Sequence, residues 1–297
     1  MVTVSAGGRA IEVSHADRVV FPDIGLTKGE LVEYYVRIAP HLLPHLARRP
    51  LTLQRFPQGV DGPGFWGKER PKHFPDWVGG AAVPVREKRR AGRLTMTVVD
   101  DVAALAYVAN QGMVTPHVWL STADRPDHPD RLVFDLDPGE ASFAVVQDTA
   151  LLLRERLTAL GLVPFVKTTG SSGLHVEVPL DGGATTDEAR AFSDRLAAEL
   201  ADERSDVLTT AFRKAERGGR LYLDVARNGH AQTEVVAYGV RARPGAPVAA
   251  PLEWDEVADR KLTARRWTVA NIFRRLARRS DPWAGFGDGA RPLPVFG

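Results

Sequence analysis

The sequence predicts a mixed α/β protein, because strand-like and helix-like segments alternate along most of its 297 residues. The clearest pattern lies in the second half, where the order of expected elements is β-α-β-β-α-β. The strands are expected at 131–136, 162–168, 174–180 and 221–225, and the helices at about 143–160 and 187–201. This order is typical of a ferredoxin-like sheet, in which the first and third strands are central and the fourth lies beside the first.

The first half of the chain predicts an α/β lobe over about residues 1–120. Runs rich in β-branched and apolar residues indicate strands at 51–56 and 114–120. A hairpin is expected at 81–99, and its tip at 88–93 is basic. This tip is either a finger that touches DNA or a solvated turn, and the sequence favours neither.

The lobe also has one well-marked helix start. Thr27 and Glu30 form a capping-box pattern, which predicts an amphipathic helix after them. We expect this helix to be interrupted at Pro40, because a proline inside a helix lacks the N–H group and crowds the preceding turn. At the other end of the chain, residues 261–297 predict a helix followed by an irregular Gly/Pro-rich tail.

The composition is that of a globular protein, with 44% hydrophobic and 26% charged residues. The absence of cysteine excludes disulfides, thiolate zinc sites and cysteine nucleophiles. Because the net charge is only +2, a nucleic-acid surface would have to come from local clusters of basic residues. No apolar run reaches the length of a membrane span and no signal peptide is recognisable. We therefore expect a cytoplasmic protein without a membrane partner.

The strongest functional signal is a pair of aspartates at the end of the first strand of this expected sheet. Asp135 and Asp137 follow the apolar run 132–134 and point to the same face, because alternate side chains on a strand share a face. Two such carboxylates suit a hard cation, Mg²⁺ or Mn²⁺. Asp224 lies on the neighbouring fourth strand, so three carboxylates are expected to meet, as phosphoryl transfer with two metal ions requires. Solvated strand-end acids are the alternative.

Nucleotide-binding candidates surround this strand end. The glycine turn at 170–173, with Ser171 and Ser172, could present N–H and hydroxyl groups to a phosphate, or could be an ordinary hairpin connection. His175 follows on the third strand and could donate to a phosphate oxygen. Arg241 and Arg243 alternate along an expected strand at 233–243, either as a triphosphate clamp or as a solvated edge.

A second group of candidates combines aromatic and basic side chains. Phe65 and Trp66 lie in an expected loop at 57–75, with Arg55 and Lys68 nearby. Stacking surface together with positive charge is typical of single-stranded nucleic-acid binding. The alternative is a loop that buries its own aromatic side chains in a small core.

Four segments together resemble the polymerase domain of bacterial ligase D, in the archaeo-eukaryotic primase superfamily. They are residues 60–66, 132–140, 170–175 and 221–224, and the resemblance covers about residues 10–260. The chain lacks a Lys-x-Asp-Gly adenylation motif, and therefore resembles a stand-alone polymerase domain. The resemblance implies a primase-polymerase architecture in one domain over 1–297. Its parts are a lobe at about 1–120, packed on an RNA-recognition-motif-like palm at about 121–260, and a helix and tail at about 261–297.

The resemblance further implies a DNA-directed nucleotidyltransferase that adds nucleotides, preferably ribonucleotides, in non-homologous end joining. The implied cofactors are two Mn²⁺ or Mg²⁺ ions. The implied partners are DNA with gaps, overhangs or 5′-phosphate ends, NTP or dNTP, an end-joining ligase and an end-binding protein, with a nucleoid-associated location. The implied metal ligands and catalytic residues are Asp135, Asp137 and Asp224. The nucleotide candidates are His117, Thr169, Ser171, Ser172, His175, Arg241 and Arg243. The DNA candidates are Arg18, Lys28, Arg55, Phe65, Trp66, Lys68 and Arg217, with the 88–93 tip helping to hold two DNA ends.

The chain departs from the family pattern at three positions and leaves two rival functions open. Thr169 replaces a serine, Ser172 replaces a lysine, and Arg18 stands where lysine is common. One rival is a phosphatase of the haloacid dehalogenase type, in which a strand also ends in Asp-x-Asp, although Pro138 stands where that class has glycine. The other rival is a DNA-end bridging module without catalysis.

Overall fold

Two six-stranded sheets organise the part of the chain that the computed structural model describes, residues 2–85 and 92–294. In chain order the strands are β1 (Val2–Ala6), β2 (Arg9–Val13), β3 (Val19–Phe21), β4 (Leu26–Thr27), β5 (Leu51–Arg55), β6 (Phe65–Gly67), β7 (Gly80–Val85), β8 (Gly92–Thr97), β9 (Met113–Trp119), β10 (Arg131–Asp137), β11 (Phe165–Thr168), β12 (Leu174–Pro179), β13 (Leu208–Thr209), β14 (Leu221–Asp224), β15 (Thr233–Val235) and β16 (Pro251–Leu252). The α-helices are α1 (Lys28–Leu46), α2 (Val102–Asn110), α3 (Phe143–Ala159), α4 (Thr186–Glu203), α5 (Trp254–Ala258) and α6 (Ile272–Leu276). The expected mixed α/β class is confirmed.

The chain divides into two compact units, each with one of the large sheets. Unit 1 consists of Met1–Asp124, Thr233–Ala249 and Trp267–Arg275. Unit 2 consists of Arg125–Gln232, Ala250–Arg266 and Leu276–Gly297. Both units are therefore assembled from separate segments of the sequence. No helix in the described ranges is long and apolar enough to cross a bilayer.

Unit 1 is built around α1 and a sheet in the order β15-β9-β5-β8-β7, with β6 paired to β5. The expected capping box is confirmed: the Thr27 hydroxyl accepts from the Glu30 N–H (3.3 Å), and the Glu30 carboxylate accepts from the Thr27 N–H (2.7 Å). The Tyr35 hydroxyl donates to the Val114 carbonyl (2.6 Å) and accepts from the Val240 N–H (3.2 Å). This hydroxyl ties the helix to two other segments of the unit.

The expected interruption of α1 is wrong, because the helix runs without a break through Pro40 and Pro44. Each proline removes one helical hydrogen bond. However, a continuous apolar face that includes Leu31, Ile38 and Leu42 is fully buried. Burial of such side chains contributes about 1.5–3 kcal/mol each, which outweighs the missing bonds.

Unit 2 confirms the expected β-α-β-β-α-β topology. Its sheet has the order β13-β14-β10-β12-β11-β16, so β10 and β12 are central and β14 lies beside β10. Leu132, Phe134 and Leu136 of β10 are completely buried. The opposite face of the same strand carries the aspartates. The sheet therefore separates an apolar core from a charged face.

The described part of the tail of unit 2, up to residue 294, has one short 3-10 helix (Gly287–Gly289) and is otherwise irregular, as expected, but it packs against the sheet. Trp283 is 1% exposed and donates from its indole N–H to the Val166 carbonyl (3.0 Å). Its ring stacks on Phe286 with centroids 5.0 Å apart, and Phe165 packs edge-on against it. Trp283 and Phe286 therefore complete the core beside β11.

Candidate active site

Three aspartates lie on one face of the unit 2 sheet, at the ends of two neighbouring strands. Asp135 of β10 is the direct register partner of Asp224 of β14, and Asp137 pairs with Tyr222. Register partners in antiparallel strands share a face, as do alternate residues along a strand. The three side chains therefore project together, as the sequence predicts, and all three are partly buried.

Hydrogen bonds to neighbouring groups orient two of these carboxylates. The Oδ1 atom of Asp224 accepts from the Ala226 N–H (2.9 Å) and from the Tyr222 hydroxyl (3.2 Å). Burial and the nearby Asp224 carboxylate raise the pKa of Tyr222 to about 12, so the hydroxyl remains a donor at neutral pH. Asp137 accepts from the Gly139 N–H at 3.5 Å.

Two arginines approach the aspartates from unit 2 itself. Arg217 donates to Oδ2 of Asp137 (3.0 Å) and to the carbonyls of Ala211 and Phe212. The Nε atom of Arg227 lies 3.8 Å from Oδ2 of Asp135 and 3.7 Å from Oδ2 of Asp224. Arg217 is a DNA candidate from the sequence, whereas Arg227 is not predicted at all. The sequence feature that could have indicated the role of Arg227 is its position three residues after Asp224.

A chain of buried charged residues leads from Asp135 into the sheet. His175, the register partner of Asp135 on β12, has Nε2 3.5 Å from Asp135 and Nδ1 3.9 Å from Glu177. Glu177 also pairs with Lys167 and, at 3.4 Å, with Arg131. Buried charges persist when they are paired in this way, because an uncompensated charge is costly to desolvate. The sequence reasoning misses these partners of His175.

The electrostatic balance around His175 favours its charged form. Burial by itself would lower the pKa of this imidazole, and Lys167 acts in the same direction. Asp135 and hydrogen bonds to Asp135 and Glu177 outweigh both effects and raise the pKa to about 10. Both ring nitrogens face carboxylates, so His175 holds the Asp135 side chain from the β12 side.

The turn between β11 and β12 packs directly against the aspartate strand. The Thr169 hydroxyl donates to the Gly173 carbonyl (3.1 Å) and accepts from the N–H groups of Ser171 and Gly173 (both 3.2 Å). The Thr169 hydroxyl therefore makes these hydrogen bonds within the turn itself. A β-carbon at Gly173 would lie 1.8 Å from the carbonyl oxygen of Leu136, between the two aspartates in sequence. Only glycine permits this close approach.

The remaining nucleotide candidates belong to unit 1. His117 lies on β9, with its ring edge-on to Trp66 at 4.8 Å between centroids. The expected strand at 233–243 is wrong: β15 ends at Val235, and Tyr238 takes a left-handed conformation with φ of 66°. Arg241 and Arg243 therefore do not alternate along a strand.

Two basic DNA candidates border a small cavity in unit 1. Its volume is about 150 Å³, and its lining includes Ser14, Arg18, Lys28, Phe56 and Asn110. Lys28 donates to the carbonyl (2.7 Å) and hydroxyl (3.0 Å) of Ser14, and Arg18 donates to the Pro57 carbonyl (2.5 Å). Burial, followed by the charge of Arg18, lowers the pKa of Lys28 to about 8. Two cations close to a cavity favour an anionic ligand.

The aromatic candidates lie on the edge strand β6, not in the expected loop. Phe65 is 47% and Trp66 53% exposed, so neither is buried in a local core. The Arg55 guanidinium lies 5.2 Å from the centroid of the Phe65 ring and donates twice to the Gln111 carbonyl (2.9 and 2.6 Å). Lys68 follows Trp66 by two residues and is exposed to solvent. Most of the basic hairpin tip falls on residues 86–91, outside the described residues.

Comparisons with known proteins give consistent results. Residues 27–283 match the family described as LigD, primase-polymerase domain. The multifunctional non-homologous end joining protein LigD of Mycobacterium bovis is 34% identical over 286 residues, which cover 93% of this chain and 37% of the relative. The corresponding protein of Pseudomonas aeruginosa is 30% identical over 284 residues, which cover 95% of this chain and 33% of the relative. The chain thus spans about a third of the length of these curated relatives.

A solved structure is similar over nearly the whole chain. The polymerase domain from Mycobacterium tuberculosis ligase D, in complex with DNA, superposes with a TM-score of 0.87 at 32% identity. The match covers 94% of this chain and 99% of that chain. The two proteins therefore share a fold and not merely a local motif.

The close approach at Gly173 predicts a specific intolerance. We expect Gly173→Ala to lower the free energy of unfolding by at least about 1–3 kcal/mol, because the added methyl group overlaps the Leu136 backbone. Gly287→Ala is the matched control, since nothing lies within 4 Å of its β-carbon position. Urea unfolding of the two variants measures the difference. Equal stability would show that the turn does not approach β10 as described.

Proposed function

Because the chain belongs to the LigD primase-polymerase domain family, we propose that it is a template-dependent nucleotidyltransferase. It adds nucleotides, preferably ribonucleotides, at gaps and ends of DNA during non-homologous end joining. The observation that carries the proposal is the meeting of Asp135, Asp137 and Asp224 on one face of the palm sheet. The family membership is evidence against the phosphatase alternative. An incorporation assay separates the enzyme from a module that only bridges DNA ends.

The donor set fits divalent metal ions. Three partly buried carboxylates supply the hard oxygen ligands that Mg²⁺ and Mn²⁺ prefer. The Oδ2 atoms of Asp135 and Asp224 both lie within 4 Å of Nε of Arg227. This arrangement supports the proposal that one positive ion can approach both carboxylates. We propose that Asp135, Asp137 and Asp224 hold two ions. Bound ions would lower the pKa of the primer 3′-hydroxyl and neutralise the departing pyrophosphate.

The protein's own side chains position this site and the incoming nucleotide. His175 supports Asp135, while Thr169 braces the turn through its hydroxyl. Ser171 and Ser172, on the turn that Gly173 keeps against β10, are proposed to contact the nucleotide. By analogy with the family, His117, Arg241 and Arg243 of unit 1 remain proposed nucleotide contacts.

The DNA contacts are proposed to lie on both units. The cavity beside Arg18 and Lys28 suits a terminal 5′-phosphate, because charge-assisted hydrogen bonds to phosphate are strong. Phe65 and Trp66, with Arg55 and Lys68, offer stacking surface and positive charge for a template base. Arg217 would reach DNA from its place beside Asp137. An end-joining ligase and an end-binding protein are the proposed partners.

Removal of a metal ligand should abolish chemistry without loss of DNA binding. We expect Asp137→Ala to lower primer extension by at least about a hundredfold, since it removes charge stabilisation at the reacting phosphate. DNA affinity, measured by fluorescence anisotropy, should be equal or slightly higher, because a negative charge is lost. Asp148→Ala, on the exposed surface of α3, is the control and should retain activity. Wild-type extension by the Asp137 variant would refute the metal assignment.

The cavity beside Lys28 predicts a pH-dependent preference for phosphorylated gaps. Lys28→Ala should reduce the affinity ratio of 5′-phosphorylated to unphosphorylated gaps about fivefold or more, because a charge-assisted bond is lost. In the wild type the ratio should also fall as pH rises from 7 to 9, since Lys28, with a pKa of about 8, loses its proton while the phosphate stays dianionic. Anisotropy titrations with both gaps measure these ratios.

Two variants control this prediction. Lys28→Arg remains charged throughout the range, so its ratio should not change between pH 7 and 9. Lys72→Ala removes an exposed lysine that does not line the cavity, and it should behave as the wild type. An equal loss of affinity for both gaps in Lys28→Ala would contradict a specific role in phosphate binding.

Sugar choice should depend on the turn. We expect NTPs to exceed dNTPs about tenfold in kcat/KM, because polar groups that bond a 2′-hydroxyl are left unpaired by the deoxy analogue. Ser171→Ala and Ser172→Ala test which hydroxyl contributes, and each contributing serine should reduce the ratio. Thr169→Ser keeps the hydroxyl that braces the turn and should leave the ratio unchanged. Single-nucleotide incorporation of GTP and dGTP on one gapped substrate gives the ratio. A value of one or less in both Mn²⁺ and Mg²⁺ would overturn the prediction.

A further inference from the structure

Arg227 lies close to two of the three aspartates at once. Its Nε atom lies 3.8 Å from Oδ2 of Asp135 and 3.7 Å from Oδ2 of Asp224. The Oδ1 atoms of the same carboxylates face other partners, His175 and the Ala226 N–H. One guanidinium group therefore lies near the Oδ2 atoms of both carboxylates.

The backbone that carries Arg227 is fixed on both sides. The next residue, Asn228, is 2% exposed and donates from Nδ2 to the carbonyls of Val133 (2.8 Å) and Val225 (3.1 Å). Its Oδ1 accepts from the Val133 N–H (2.9 Å). On the other side, the Ala226 N–H is bonded to Asp224. These bonds set the origin of the Arg227 side chain relative to both strands.

The side chain itself is held loosely. Distances of 3.7 and 3.8 Å exceed the length of a hydrogen bond, so the attraction is mainly electrostatic. The side chain is 41% exposed, which leaves it a path into solvent. By contrast, Arg217 is only 11% exposed and makes direct hydrogen bonds at Asp137 and at two carbonyls. Of these two arginines, Arg227 is therefore the one that can more easily move away from the carboxylates.

We propose that Arg227 is a resident counter-ion of Asp135 and Asp224 that a divalent metal ion displaces. Before metal binds, the guanidinium reduces the repulsion between two carboxylates on adjacent strands. When metal binds, the same oxygens coordinate the ion and the guanidinium moves outward. The inference rests on the proposed metal site, and it makes Arg227 a positioning residue that raises metal-free stability and weakens metal affinity.

The first test is a calorimetric titration of the protein with Mn²⁺ alone. Arg227→Gln should lower the Mn²⁺ dissociation constant about two- to tenfold, the range expected when a partly exposed ion-pair competitor is removed. Arg227→Lys retains the charge and should restore affinity close to that of the wild type. Arg260→Gln is the matched control, because it removes an arginine from another exposed ion pair of unit 2, with Asp148.

The second test is thermal unfolding with EDTA and with saturating Mn²⁺. In EDTA, Arg227→Gln should unfold a few degrees below the wild type, because two facing carboxylates lose their counter-ion. With Mn²⁺ the two proteins should unfold at the same temperature. A variant that is merely misfolded would remain below the wild type under both conditions, and this result would contradict the proposal.

Failure of the inference and failure of the proposed metal site give different results. Mn²⁺ binding that Asp224→Asn weakens, combined with equal or weaker binding in Arg227→Gln, would overturn the role of Arg227 alone. Mn²⁺ binding that is absent, or that Asp224→Asn does not change, would overturn the metal site and with it the inference. Tighter binding in Arg227→Gln, lost again in Arg227→Lys, would support both.

Discussion

Repulsion between carboxylates on adjacent strands is the constraint on which the palm depends. The register of β10 and β14 sets Asp135 opposite Asp224, and like charges directly opposite each other destabilise a sheet. Each acid has a cationic neighbour: His175 at Asp135, Arg217 at Asp137, and Arg227 at both Asp135 and Asp224. These cations offset the repulsion in the absence of metal, but one of them, Arg227, is loosely held. The proposed site for divalent ions would thus combine preformed geometry with a replaceable charge.

The topology of the palm could be predicted from sequence because its signals are local. Apolar strands, helix caps and glycine turns gave the β-α-β-β-α-β order, and this order alone brought Asp224 beside Asp135. The errors arose where distant contacts override local preference. Pro40 lies within a helix whose buried face outweighs the missing hydrogen bond. The strand expected through Arg241 ends early at the left-handed Tyr238, which no residue pattern indicated.

The partners of the site residues were mostly beyond sequence reasoning. Glu177 and Lys167 appear in the sequence as single charges within strands, and their pairing follows only from the register of β11 and β12. Arg227 acquires its place through Asn228, whose amide continues the hydrogen bonding of β10 beyond the end of β14. Such side-chain mimicry of a strand has no sequence signature. The motif thus located the acids, whereas the fold supplied their charge balance.

The interleaved composition of the two units has a consequence for folding and for engineering. The chain passes between the units five times, and each unit takes one strand from a late segment: β15 joins β9, and β16 joins β11. A fragment that ends after Gln232 would leave both large sheets without a strand. Such non-local pairings slow folding, because distant segments must meet before either sheet is complete. Exchange of the segment after Gln232 would therefore remove a strand from both large sheets at once, and surface turns within one unit are the better sites for insertion.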